Sequence, residues 1–204
     1  MRQKLLFLML LCSYMLCGAQ ATSLTVDNQT PGWLSSKINY GDQQTVESLT
    51  VTGYLNGTDM SFIASLNKEH NLCKRLDLSK ATIVKSNESD KIYSADNTIN
   101  PRWFWEWKKM SYISFPESLE EFKSDSEQIL AAVDTLIFNC PRLSIVHVVY
   151  KYTKLVYLSE GINEFGISSA QELEYINFPS TLNKLTNRNG DIVGGDRQPY
   201  PHDG

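Results

Sequence analysis

Three histidines (His70, His147 and His202) and four cysteines are the chain's whole stock of imidazole and thiol. The histidines sit in unrelated contexts. There is no HExxH run and no paired-cysteine spacing, so no metal-ligand set takes shape. No nucleophile–base–acid set is visible, and no glycine-rich loop follows a strand-like segment to hold phosphates. Carboxylates gather at Glu117, Glu120 and Glu121, on a polar turn that suits a solvated face. The expectation is a protein that is not an enzyme and takes no metal or cofactor. One cluster keeps a binding role open. Trp103-Phe104-Trp105-Glu106-Trp107 has the rings to stack on a sugar or wedge into a partner, and equally the apolar area to fill a core.

The elements that must position such residues begin with composition. Of 204 residues, 42% are hydrophobic and 21% charged, which is enough to bury a core in one domain. A net charge of −4 supplies no basic surface for phosphates, so a nucleic-acid partner is not expected. Residues 1–21 read as an export signal. Arg2 and Lys4 form a basic start, Leu5 to Met15 an apolar run, and Ala19-Gln20-Ala21 a cleavage pattern. The run is too short to span a membrane with a stop-transfer flank. Lipid anchoring through Cys12 or Cys17 is the weaker reading, because Leu11 and Leu16 stand where a lipobox wants a small residue. The expected protein starts at Thr22 and resides at the cell surface, in the periplasm or outside the cell. Cys73 and Cys140 would then remain, and their apolar surroundings favour buried free thiols over a disulfide.

An internal repeat organises the rest. The pattern apolar-x-x-apolar-x-apolar occurs at Val46-Leu49-Val51, Cys73-Leu76-Leu78, Met110-Ile113-Phe115, Leu143-Val146-Val148 and Leu173-Ile176-Phe178, at spacings of 27, 37, 33 and 30 residues. The final alternation in each trio is that of a short strand with one buried face. Pro116 to Phe122 is echoed by Pro179 to Leu185, and more loosely by Ser159 to Gly166. One such unit cannot bury its apolar edge alone, but stacked units can. The expected product is a solenoid with a parallel sheet along one face.

Met110 to Phe122 (MSYISFPESLEEF) and Leu173 to Leu185 (LEYINFPSTLNKL) resemble the L-x-x-I-x-L-P-x-S-L-x-x-I repeat of the BspA-like leucine-rich repeat proteins of Bacteroidetes surfaces. Phe138 to Leu143 resembles that family's F-x-x-C-x-x-L segment, offset by one residue. Leu49 to Ile63 (LTVTGYLNGTDMSFI) is similar to its N-terminal capping unit, and Leu76 to Ala81 (LDLSKA) to its second unit. The resemblance covers most of residues 24–185. It implies an α/β fold: a short right-handed leucine-rich-repeat solenoid with a parallel sheet on the concave face, an irregular convex side and an N-terminal strand–helix cap. It also implies that Phe104 packs into the core, as the family's Phe after an N-x-I-P segment does. One or two of Trp103, Trp105 and Trp107 should follow it. The intervals Phe122 to Cys140 and Val148 to Leu158 exceed the family spacing and read as insertions.

The expected map is a cap over 22–45, five units over 46–185 and a loose tail over 186–204. In the cap, a strand at Leu24 to Val26 precedes a helix from Pro31, with Trp33, Leu34 and Ile38 covering the first unit. Residues 58–66 suit a helix capped by Thr58 or Asp59. Residues 84–101 suit an exposed loop, Ser124 to Val133 a helix, and Val146 to Leu158 a projecting hairpin. Asn28, Asn56 and Asn87 begin glycosylation sequons, which are chance matches if the source is bacterial as the resemblance implies, and Asp134-Thr135-Leu136 resembles a bacterial O-glycosylation site. Strand alternation points Thr50, Arg75, Asp77, Tyr112, Ser114, His147, Tyr175 and Asn177 out of the concave sheet, with Tyr157 joining if the hairpin continues it. Tyrosine, arginine and short polar residues together suit recognition of a protein. The resemblance implies the same, since some members attach to host matrix or to other bacteria. The alternative is a structural or accessory role without a partner, or a remnant of a longer repeat protein. Too few apolar residues follow Leu185 to cover Phe178, Leu182 and Leu185, so the protein is expected to self-associate through that end or to be only marginally stable as a monomer.

Overall fold

The computed structural model describes residues 22–68, 73–86, 92–104, 107, 109–122, 133–149, 152–168 and 171–186. The expected export signal, His70, Asn87, Trp105, residues 124–132 of the expected helix, His202 and the tail beyond Thr186 lie outside the described residues.

Short alternating segments become short strands, and each lies parallel to its neighbour. In chain order the strands are β1 (Thr22–Asn28), β2 (Val46–Leu55), β3 (Arg75–Asp77), β4 (Ala81–Ile83), β5 (Thr98–Ile99), β6 (Met110–Ser114), β7 (Glu121–Phe122), β8 (Val133–Phe138), β9 (Ile145–Val149), β10 (Leu155–Leu158), β11 (Glu164–Ser168), β12 (Tyr175–Asn177) and β13 (Lys184–Thr186). Helices α1 (Leu34–Lys37), α2 (Tyr40–Gln43) and α3 (Gly57–Lys68) lie near the N-terminus. The molecule is thus α/β, with a mostly parallel sheet and few helices. The main sheet runs β1-β2-β3-β6-β8-β10-β12, with β4 also paired to β2; β9-β11-β13 and β5-β7 form two smaller sheets. No helix among the described residues is long and apolar enough to cross a membrane.

Two apolar ladders hold these sheets together. In the main sheet Leu49, Leu76, Ile113, Leu136, Val156 and Ile176 are register partners in turn. In the smaller sheets Ile99 partners Phe122, and Val146 partners Phe165, which partners Leu185. All except Ile176 and Leu185 are buried. Each full burial of such a side chain contributes about 1.5–3 kcal/mol. Aromatic rings fill the space between: Phe115 stacks on Phe138 at 4.5 Å, Phe122 meets both edge-on, and Phe104 touches Phe115 and Trp107.

The ladders correct the sequence-based register. Leu143-Val146-Val148 does not join the main sheet, because Val146 lies in β9 of a smaller one. The place beside Ile113 is taken by Leu136 of β8. No hairpin spans Val146 to Leu158, since β9 and β10 belong to different sheets. Val133, expected in a helix, starts a strand. The apparent insertions are therefore two regular units. Met110, Val133, Thr153 and Leu173 begin four successive units at spacings of 23, 20 and 20 residues. Each has the same turn after its first strand. The N–H groups of Leu119, Leu143, Ile162 and Leu182 donate to the carbonyls of Pro116, Cys140, Ser159 and Pro179 at 3.0, 3.0, 3.4 and 3.0 Å. The entry to the second strand also repeats. Asn97 O accepts from Glu120 and Glu121, Ser144 O from Asn163 and Glu164, and Asn163 O from Asn183 and Lys184.

The N-terminal end is knotted around one buried carboxylate. Asp59, 1% exposed, accepts from the backbone N–H of Gly32 (2.6 Å), Leu34 (2.9 Å) and Asn56 (3.0 Å), and from Asn28 Nδ2 (3.3 Å). It ties α1 and β1 to the start of α3. The cap of α3 is Asn56, not Thr58 or Asp59: its Oδ1 accepts from the N–H groups of both. Gly57 has no room for a side chain, since a Cβ there would lie 2.1 Å from Ile92 O. Gly53 has φ +83° and a Cβ would lie 2.5 Å from Asn28 O, so only glycine fits the bend of β2. Leu34 and Ile38 are buried as expected, but Trp33 is 62% exposed and does not cover the first unit. Residues 92–100 are less exposed than their polarity suggests. Ser94 is buried, bonded to Ser86 at 2.7 Å, and Ile99 is fully buried.

Candidate functional site

On the solvent side of the main sheet, two rows of side chains cross the strands. The first runs Ser48, Arg75, Tyr112, Thr135, Leu155, Tyr175; the second runs Thr50, Asp77, Ser114, Ile137, Tyr157, Asn177. Each member is the register partner of the next, so neighbours stand about 4.8 Å apart.

Two features dominate this face. At β3 and β6, the Arg75 guanidinium carbon lies 4.4 Å from the centre of the Tyr112 ring. The stack holds the cation in place while leaving Arg75 exposed. At β10 and β12, the rings of Tyr157 and Tyr175 lie 5.5 Å apart and tilted by 45°, with 40% and 48% of their surfaces exposed. Half-buried Thr135, Ile137 and Leu155 fill the interval between them. Four strand steps, about 19 Å, separate Arg75 from Tyr175. The face can therefore offer an anchored cation at one end and an aromatic shelf at the other, joined by an apolar floor.

Other expected residues do less. His147 leaves the face altogether. It lies in β9, where its Nε2 is 2.8 Å from Glu164 Oε1. Ser114 points the expected way but is 3% exposed. Asp77 is half-buried, and its Oδ1 accepts from the Ser79 N–H at 2.9 Å. Asn177 spans the backbone of Leu158, accepting from its N–H at 2.6 Å and donating to its carbonyl at 2.7 Å. That side chain holds β12 to β10 rather than facing a partner. Thr135, Ile137 and Leu155 were missed, although Val133-Leu136-Phe138 carries the trio pattern that would have placed the first two.

Elsewhere the chemistry is structural. Glu164 accepts from Lys184 Nζ at 3.0 Å with each carboxylate oxygen, in addition to its bond with His147. Partial burial pushes its acidity one way, and the bonds from Lys184 and His147 outweigh it, holding the carboxyl below its ordinary value. Cys73 and Cys140 are buried free thiols, each pushed up to about 12 by burial and so poor nucleophiles. Trp103, Phe104 and Trp107 are buried, which removes both described tryptophans of that cluster from any stacking platform. Among the sequons, Asn28 and Asn56 are buried and cannot carry a glycan. Among the described residues no three His, Cys, Asp or Glu side chains converge on a metal position. No family model and no curated protein matches the chain.

Proposed function

We propose that the chain is an exported leucine-rich-repeat solenoid of the BspA-like kind that its motifs resemble, and that the solvent face of its main sheet binds a protein. The export signal at residues 1–21 and the 20-residue return of the same turn support the first part. The observation that carries the second is the row from the Arg75–Tyr112 stack to the Tyr157–Tyr175 pair. Tyrosine supplies large contact area at low entropic cost, and tyrosine and arginine are enriched among the residues that dominate the energetics of protein interfaces. Here Arg75, Tyr157 and Tyr175 are exposed and Tyr112 is half-buried beneath the guanidinium, all on one sheet. The binding face is the concave side of the solenoid, and its partner is a host-matrix or bacterial surface protein.

The test is capture of partners from matrix and bacterial surface extracts, followed by affinity measurements on variants. Tyr157→Ala and Tyr175→Ala should each weaken binding by about tenfold or more without lowering the unfolding midpoint. Glu120→Ala, on a turn away from the face, should leave binding unchanged. Equal losses for all three variants would refute the assignment of the face.

A further inference from the structure

We infer that the C-terminal end of the stack is a homodimer contact, in which β12 and β13 each pair antiparallel with their counterparts in a second copy of the chain. The argument starts from what the last unit leaves open. Just past β6, Phe115 donates its N–H to Ile137 O of the next strand at 3.0 Å, while Tyr112 within β6 bonds back to Lys74 O, just ahead of β3. In β12, Tyr175 likewise bonds back, to Lys154 O at 3.0 Å. Alternation along a parallel ladder then turns the backbone groups of Ile176 and Phe178 outward. No described strand lies beyond β12 to receive them. The same holds in the smaller sheet, where Lys184 bonds back to Asn163 O and Leu185 faces the open edge. Between the two edges, Phe178 is 56% exposed, and Leu173, Ile176, Leu182 and Leu185 are only partly buried.

The occupant follows from the shape and from the sequence beyond the edge. A further unit of this chain in the 20-residue rhythm would need apolar residues at Val193, Asp196, Gln198 and His202, and only Val193 qualifies. A single extended peptide would satisfy one edge and leave the other bare. A second copy carries both edges at the same separation, and a two-fold axis sets each against itself. Across such an axis the strands run antiparallel. The register that uses the outward groups of β12 and of Phe178 just past it sets Ile176 opposite Phe178 of the partner, with Asn177 on the axis. The contact shields unpaired edges and an apolar row together. It lies at the end of the stack, so the proposed partner face stays free.

Sedimentation equilibrium over a wide concentration range, with amide hydrogen exchange on the same samples, tests this. The protein should pass from monomer to dimer as concentration rises, and the Ile176, Phe178 and Leu185 amides should become protected in step. Phe178→Asp should weaken the dimer by at least about tenfold. Phe178→Lys should do the same, giving a second variant if one folds poorly. Trp33→Asp, at the opposite end, should leave the dimer intact. A monomer at every concentration overturns the inference. So does a dimer that survives both Phe178 substitutions, or one whose protection appears away from β12 and β13.

Discussion

Two adjacent units of the molecule differ in burial more than in chemistry. In the unit that begins at Thr153, Thr153, Val156, Leu158, Ile162 and Phe165 are all buried. In the next, the equivalent Leu173, Ile176, Leu182 and Leu185 are partly buried and Phe178 is 56% exposed. The last unit is the more apolar of the two, yet it is the more exposed. Burial here is a property of position in the stack. A side chain is covered when a further layer lies beyond it. The opposite end solves the same problem with polar chemistry. There Asp59 gathers three backbone N–H groups and one side-chain amide into a buried node that folds α1 over β1.

The contrast can be broken hardest at that node. Asp59→Ala leaves the N–H groups of Gly32, Leu34 and Asn56 without their acceptor. The Leu34 and Asn56 bonds are buried and the Gly32 bond partly so; at about 1–3 kcal/mol per fully buried orphan, a loss of at least about 2 kcal/mol is expected in urea unfolding. Asp59→Asn keeps one acceptor oxygen and should cost clearly less. A loss below about 1 kcal/mol would mean that the N-terminal segment adds little to the fold.

A matched pair sharpens the comparison of units. Phe165→Ala should cost about 3–5 kcal/mol, as for other buried aromatic truncations. Phe178→Ala, at low protein concentration, should cost about 1 kcal/mol or less. In the main ladder, Ile113→Ala should cost about 2–5 kcal/mol and Ile176→Ala markedly less. If the two members of either pair cost the same, the last unit is covered and position in the stack does not set burial.

The strand alternation, the parallel sheet and the N-terminal helix were all legible in the residue pattern, because each depends on a local period. The register past Phe122 was not. Val133-Leu136-Phe138 and Leu143-Val146-Val148 both satisfy the same pattern ten residues apart. Each unit contains two strands with alternating apolar residues, and alternation does not say which sheet a strand joins. Thr153 hid the following unit further. It occupies the place of Met110 or Val133, and its hydroxyl reaches burial by donating to Val133 O at 2.7 Å. For the candidate face, the strands at Arg75, Tyr112 and Tyr175 were legible, and so were those residues. Ser114 and Asn177 show the limit of that reasoning. Alternation gives the side of the sheet a residue faces, not whether a neighbour covers it or a backbone claims its hydrogen bonds.

The smallest expected effect concerns how the open end is held. Glu160 accepts from the Ser180 N–H and hydroxyl and from the Thr181 N–H at 3.0, 2.8 and 3.3 Å. Glu164 accepts from Lys184. Both carboxylates belong to the covered unit and both reach into the last one. The Ser180 bonds hold Glu160 below the ordinary value of 4.5. For Glu164, burial acts upward, and the Lys184 and His147 bonds carry it below the same value. A carboxyl group with a depressed folded-state pKa adds stability that is fully present above its unfolded value and is lost as pH falls through its folded value. Acid should therefore loosen the last unit before the rest. Amide protection factors, corrected for intrinsic exchange, should fall first for Lys184 to Thr186 as pH drops below about 4.5, while those of Leu76 and Ile113 persist. Glu164→Gln should produce part of that loss at neutral pH, and the change should be small because Lys184 is partly exposed and its ion pair is screened by water. Simultaneous loss of protection in both regions would mean that the two carboxylates do not tether the end and that acid unfolds the stack as a single unit.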